Sequence, residues 1–255
     1  MIFYFSGTGN TKWAAERLAE VTNERLLFIP DELKGECKYE LSEGERIGFC
    51  FPVHGWQPPK IVRQFIAKMQ LSNSNGHYAY ALCTCGDSAG RAMDMLGKLL
   101  SGKQITLQST LSLIMPESYV CLPFMYTDTP EREQAKISQA AQELEPFCRL
   151  VEQRQSGFSQ IVRGALPYTY SHVIGAYFNR FMISDKKFTV DAEVCLHCGK
   201  CAEVCPTGNI ELTDLPSWKN DNSCTCCLSC YHHCSVHAIN YGRITRRRKQ
   251  YYFGH

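Results

Sequence analysis

Short unbroken apolar runs alternate along the chain with longer stretches whose apolar positions recur every three or four residues. Ile2-Phe3-Tyr4-Phe5 is the first run, with the length and composition of a strand buried on both faces. Thr11 to Val21 follows with Trp13, Ala14, Leu18 and Val21 on one helical face. Leu26 to Ile29 predicts a second strand, and Ile47 to Phe51, stopped by Pro52, a third. Pro59 to Met69 predicts a helix with proline in its first turn and Ile61, Val62, Phe65, Ile66 and Met69 on its apolar side. Tyr78 to Cys83 is a fourth strand, Ala89 to Leu100 a helix, and Ile105 to Met115 a fifth strand. Pro130 to Gln155 is a long helix capped by Thr129, with Glu131 and Glu133 in its first turn. Strands alternating with helices predict βαβ units and an α/β, doubly wound parallel sheet over residues 1–155.

The alternation stops at Ser156. Residues 156–185 are rich in aromatics (Phe158, Tyr168, Tyr170, Tyr177, Phe178, Phe181) and predict a connector that is helical around Ser171 to Met182. Residues 186–242 form a cysteine-rich module whose halves repeat at about thirty residues. The run Arg246-Arg247-Arg248-Lys249 marks residues 243–255 as a basic, solvated tail, with contact to an acidic partner as the alternative.

The module carries C-x2-C-x2-C-x3-C twice: Cys195, Cys198, Cys201 and Cys205, followed by Pro206, and then Cys224, Cys227, Cys230 and Cys234. That spacing suits thiolate ligation of 4Fe–4S clusters, with the fourth thiolate of each run serving the other cluster. One cluster is therefore expected on Cys195, Cys198, Cys201 and Cys234, and a second on Cys224, Cys227, Cys230 and Cys205. Structural zinc prefers two separated cysteine pairs. Disulfide frameworks belong to short secreted chains. Cys226 interrupts the second run and reads as a bystander, competition with Cys227 being the alternative. His197, His232, His233 and His237 read as structural or exposed, a histidine ligand of the Rieske kind being the alternative.

The chain has 255 residues, 44% hydrophobic and 20% charged, with 15 cysteines and a formal net charge of +2. That charge implies no general polyanion partner, and so no nucleic acid. No stretch reaches the about 18 apolar residues that read as a membrane-spanning helix. Seven cysteines outside the runs are scattered like thiols in a reducing cell, and Met1 to Ser6 runs straight into a strand without a secretory pattern. The expected location is cytoplasmic.

Ser6-Gly7-Thr8-Gly9-Asn10-Thr11 joins the first strand to the first helix. Backbone N–H groups at a helix N-terminus, with the hydroxyls of Ser6, Thr8 and Thr11 and the Asn10 amide, can cradle one phosphate. The loop lacks the Walker spacing and the third glycine of the dinucleotide fingerprint, so a mononucleotide is expected. This segment resembles the phosphate loop of flavodoxins, which bind FMN. The resemblance implies two flavin-ring loops after the third and fourth strands: Pro52, Val53, His54, Gly55 and Trp56, then Thr84, Cys85, Gly86 and Asp87. It places Trp56 against the ring and the Gly55 backbone near its N5, with His54 as a loop cap. The switch point of a doubly wound sheet lies at the same strand ends. The cysteine module resembles bacterial dicluster ferredoxins, an α+β fold, although Ser235 follows Cys234 where proline is common. Over residues 1–125 and 186–242 the chain resembles fused flavodoxin–ferredoxin proteins of anaerobic microbes.

The resemblance implies an electron-transfer protein relaying electrons between FMN and two 4Fe–4S clusters. Its partners would be a redox protein or a small-molecule donor or acceptor. One alternative is a reductase of a small organic substrate (a quinone, enoyl or nitro compound), in which His54 or Cys85 donates a proton. The other is a non-enzymatic redox sensor or interaction protein. A homodimer is a further expectation, because it would shorten the path from flavin to cluster if a single chain holds them far apart.

Overall fold

The computed structural model describes residues 1–254; His255, last in the expected tail, lies outside the described residues. Twelve strands occur among them: β1 (Ile2–Tyr4), β2 (Leu26–Phe28), β3 (Lys38–Glu40), β4 (Ile47–Pro52), β5 (Gln70–Ser72), β6 (Ala79–Cys85), β7 (Leu107–Ile114), β8 (Phe158–Gln160), β9 (Phe188–Val190), β10 (Ile210–Leu212), β11 (Pro216–Trp218) and β12 (Ile239–Tyr241). Six form one parallel sheet in the order β2-β1-β4-β6-β7-β8. This is the 2-1-3-4-5 order of flavodoxin-like folds with β8 added at one edge.

The main helices are α1 (Asn10–Thr22), α2 (Ile29–Glu32), α3 (Lys60–Lys68), α4 (Ala92–Ser101) and α5 (Pro130–Glu152). One face of the sheet packs Phe3, Phe49 and Phe51 against Val62, Phe65 and Ile66 of α3 and Leu96 of α4. The other packs Ile2, Cys50, Tyr80 and Leu82 against Ala14 and Leu18 of α1 and Leu144 and Phe147 of α5. Central strands buried on both faces account for the unbroken apolar runs of β4 and β6. The Thr129 hydroxyl accepts from the Arg132 N–H at the start of α5, as its capping role predicts.

The segment 156–185, expected as a connector outside the sheet, instead begins with β8 paired on β7, and only then becomes one helical stretch from Pro167 to Met182: α6 (Pro167–Thr169), a π-helical Tyr170–Ile174, α7 (Gly175–Tyr177) and a second π-helical Phe178–Met182. It packs on the loop after β4. The Gln57 side-chain amide donates to the Ser171 carbonyl at 2.7 Å, and the Asn179 amide donates to the His54 carbonyl at 3.0 Å. A side chain at Gly175 would collide with the Gly55 carbonyl, so glycine permits this approach.

The cysteine module holds α8 (Lys200–Glu203), α9 (Ser229–His232) and two antiparallel pairs, β9 with β12 and β10 with β11. The repeat is visible in the backbone: His197 and Cys226, Gly199 and Leu228, and Gly208 and His237 all have positive φ, between 52° and 74°. Val120 and Cys121, from the loop after β7, are buried in the module's core beside Cys226 and Tyr231. Arg246, Arg247 and Lys249 are exposed as a basic run predicts, but the tail is not wholly solvated: Thr245 and Tyr251 are buried. The Tyr231 hydroxyl donates to the Arg248 carbonyl at 2.8 Å, and the Arg248 guanidinium lies 3.4 Å from the Tyr126 ring centre. The arginine run is thus held by its backbone and by cation–π stacking.

Candidate flavin cavity and iron–sulfur centre

A cavity of about 500 Å³ opens at the carboxyl ends of β1, β4 and β6, within the range of small-molecule sites. Fourteen of the fifteen expected flavin residues line it: Ser6, Gly7, Thr8, Asn10 and Thr11; Pro52, Val53, His54, Gly55 and Trp56; Thr84, Cys85, Gly86 and Asp87. Gly9 stands outside that wall. Its φ of 97° forms the turn into α1, and its N–H donates to the Ser6 hydroxyl at 3.2 Å. Thr11 and Thr84 join their hydroxyls at 2.7 Å, tying the phosphate loop to a ring loop. The Asn10 amide donates to the Pro116 carbonyl at 3.1 Å, so that side chain is partly committed within the protein. Trp56 lines the cavity, but its ring stacks on Tyr170 at 5.0 Å and its indole N–H donates to Ser88.

Burial, with the nearby Arg63 cation, lowers the His54 pKa to about 4, so the ring is neutral at neutral pH. Burial keeps Cys85 a thiol, and the neighbouring Cys83, Glu117 and Asp87 add to the effect. Glu117 is a wall residue that sequence reasoning did not find. Burial raises its pKa, against hydrogen bonds from the Tyr119 and Ser118 N–H groups and the pull of Lys136. Its carboxyl group lies directly against Gly86, so a larger residue there would have to displace it. Leu122, Phe124, Met125, Ile174, Tyr177, Phe178 and Met182 extend the cavity with apolar surface from the loop after β7 and from the connector. Nothing in their local pattern marks them, because only the tertiary fold brings these segments together.

A second, small cavity is lined by Cys205, Cys224, Cys227 and Cys230, the set expected for the second cluster. Burial raises the Cys230 pKa, and the thiols of Cys227, Cys224 and Cys205 raise it further, which reports their proximity. In the other half, burial raises Cys201, and Cys198 and Cys234 contribute in the same direction. Of that set, Cys195 is half-buried and Cys198 exposed. The Asn209 N–H donates to the Cys205 sulfur at 3.3 Å and the Ala238 N–H to the Cys234 sulfur at 3.2 Å, the same i to i+4 contact in each repeat. Such N–H···S bonds favour thiolates and tune cluster potentials. Cys226 occupies the left-handed position equivalent to His197 and packs with Cys121, apart from the wall of the small cavity. Among the described residues no three histidine, cysteine or acidic side chains converge on a single metal ion.

Both sites suit their groups. Four cysteines surround the small cavity without a cation among its lining residues, and on its wall burial raises the Cys227 pKa against a hydrogen bond from the buried Thr225 hydroxyl, which lowers it. At the large cavity, hydroxyls and a helix N-terminus lie at one end and apolar walls at the other, which matches a phosphate and a flat ring system.

The fold and these cavities define a flavodoxin-like domain joined to a ferredoxin-like module. Residues 1–107 match the family described as flavodoxin domain, and residues 188–211 match the 4Fe–4S binding domain. The chain thus joins a match to a flavodoxin domain with a match to a 4Fe–4S binding domain, which fits a flavodoxin–ferredoxin fusion and supports an electron-transfer flavin and iron–sulfur protein. Among solved structures it is similar to a candidate flavoprotein from Bacteroides uniformis, at 20% identity and TM-score 0.36 over 44% of this chain and 88% of that one. It is similar to the rubredoxin oxygen:oxidoreductase of the anaerobe Desulfovibrio gigas, at 14% and 0.35 over 61% of this chain and 36% of that one. A third is the Trp repressor binding protein from Bacillus subtilis, at 12% and 0.39 over 60% and 97%. No curated protein matches the chain. No helix among the described residues is long and apolar enough to cross a membrane.

Proposed function

We propose that this chain relays electrons between FMN and two 4Fe–4S clusters held by Cys195, Cys198, Cys201 and Cys234 and by Cys205, Cys224, Cys227 and Cys230. One observation carries the reading: Cys227 and Leu228 line both cavities, so one backbone turn separates the flavin site from the second cluster site. Gly7 of the phosphate loop packs directly on Cys227. When bound, FMN exchanges one or two electrons and each cluster one, which lets the pair link one- and two-electron partners. Ser6, Thr8 and Thr11 hold the phosphate end, and the loops 52–56 and 84–87 hold the ring. His54 remains neutral and adds no positive charge beside it. The short path within one chain removes the geometric reason for a homodimer.

Anaerobic reconstitution with quantitation of iron, sulfide and flavin tests this. About eight irons and one FMN per chain support the relay; four irons, or no flavin, refute it.

A second reading is favoured by the apolar extension of the cavity and by Glu117 on its wall: reduction of a small apolar organic molecule. Cys85 is too weak an acid and His54 is uncharged at neutral pH, so Glu117, whose pKa burial raises, is the wall carboxyl group this reading puts to the test. Rapid oxidation of the reduced protein by one quinone, enoyl or nitro compound, slowed in Glu117→Gln, supports this reading. Uniformly slow oxidation by all of them leaves the carrier.

A further inference from the structure

Residues beyond Lys249 bridge the second cysteine run and the phosphate loop. At the cysteine end, the Gln250 amide donates to the carbonyls of Tyr231 at 2.5 Å and Cys234 at 2.7 Å. The Tyr251 N–H donates to His232 Nδ1 at 3.1 Å. This fixes the neutral tautomer of His232, whose Nε2–H then donates to the Ser118 carbonyl at 2.7 Å. Tyr231, His232 and Cys234 lie in or beside α9, which also carries Cys230. At the loop end, the Tyr251 hydroxyl donates to Asn10 Oδ1 at 2.6 Å, and the Phe253 N–H donates to the Thr8 carbonyl at 2.8 Å. The Phe253 ring stacks on Trp13 of α1 at 5.2 Å, and a Cβ at Gly9 would stand 2.9 Å from that of Phe253. Tyr251 is 1% exposed.

We propose that Gln250–Phe253 is a strap that sets the phosphate loop's conformation from the second cysteine run, with Tyr251 and Phe253 as positioning residues of the phosphate site. It rests on the flavin reading above and adds a linkage: the loop is held in place only when α9 is. Cys230 and Cys234 flank the carbonyls that anchor the strap, so assembling iron on these cysteines orders α9, then Tyr251, then Asn10 and Thr8. FMN affinity therefore depends on iron loading.

The test measures FMN and riboflavin dissociation constants by flavin fluorescence on the full-length chain, with and without iron, for the wild type and Tyr251→Phe. A chain ending at Lys249 is the second variant, with circular dichroism as the check on folding. Tyr251→Phe removes the buried hydrogen bond to Asn10 Oδ1, so the FMN dissociation constant should rise about tenfold. Riboflavin lacks the phosphate, and its affinity should not change. Removing iron should weaken FMN binding in the wild type and have little further effect in Tyr251→Phe. Unchanged FMN affinity in both variants overturns the strap, and so does equal weakening of FMN and riboflavin, which would report general destabilisation. A wild type that binds no FMN with or without iron overturns the flavin reading itself, and the strap with it.

Discussion

Replacing Gly7 by alanine probes the seam between the two halves of the molecule. Gly7 lies outside the left-handed region, so alanine carries no backbone strain there. Its new Cβ would stand 2.8 Å from Cys227 Cβ, 3.1 Å from the Cys227 carbonyl oxygen and 3.5 Å from the Cys227 sulfur. The first contact is closer than real Cβ atoms approach and the second is tight, and a cysteine held by a cluster has no rotamer with which to retreat. The phosphate loop and the second cysteine run must separate. Overpacking of this kind costs about 1–3 kcal/mol, against a gain of about 0.4–1 kcal/mol from a stiffer unfolded chain. The net loss is roughly 1–2 kcal/mol, a factor of about 5 to 30 in the folding or docking equilibrium. Gly97 is the control: it lies in α4 with nothing within 4 Å of an added Cβ, so Gly97→Ala should be neutral or stabilising. Urea unfolding and FMN titration of both variants give the comparison. Gly7→Ala should lower the urea midpoint and weaken FMN binding, while Gly97→Ala does neither. A Gly7→Ala protein matching wild type in both assays would refute the contact between phosphate loop and cysteine run.

Ligand assignment is open to iron counting and electron paramagnetic resonance. Cys205→Ser should remove the signal of the cluster on the second run, Cys234→Ser that of the first, and Cys226→Ser neither; loss of the first-run signal in Cys205→Ser would contradict the crossed arrangement. His54 has a folded pKa of about 4 against an ordinary value of 6.5, so the unfolded chain binds the extra proton. Its contribution is complete above about pH 6.5 and is lost as pH falls toward 4, so His54→Asn should flatten that part of a plot of urea midpoint against pH. An unchanged slope would mean that His54 is not buried as a neutral ring. The Tyr80 hydroxyl is fully buried without a partner, so Tyr80→Phe should hold or raise the urea midpoint, and a fall of more than about 1 kcal/mol would reveal a hydrogen bond at that hydroxyl.

The sheet was legible because its signal is local. Apolar runs such as Ile47–Phe51 and Tyr78–Cys83 fall on β4 and β6, and the boundaries of α1, α3 and α5 differ from the predicted ones by at most three residues. Edge strands β3 and β5 were missed because Lys38–Glu40 and Gln70–Ser72 are polar and mostly exposed, with no burial pattern to read. The cavity's polar end was legible for the same local reason: a strand, a turn and a helix follow one another. Its apolar end was not, since Phe124, Tyr177 and Leu228 come from three distant segments. Residues 250–253 were read by charge, from the neighbouring arginines. Two aromatics, Tyr251 and Phe253, decide the outcome by packing on Asn10 and Trp13.

The most direct test of the relay is the rate at which pre-reduced clusters bleach the flavin absorbance in anaerobically reconstituted protein, measured across a range of protein concentrations. A cavity wall shared through Cys227 predicts a first-order rate that does not change with concentration. A rate that climbs in proportion to concentration would mean that electrons pass between molecules, and no bleaching would mean that the two cavities are not electronically connected.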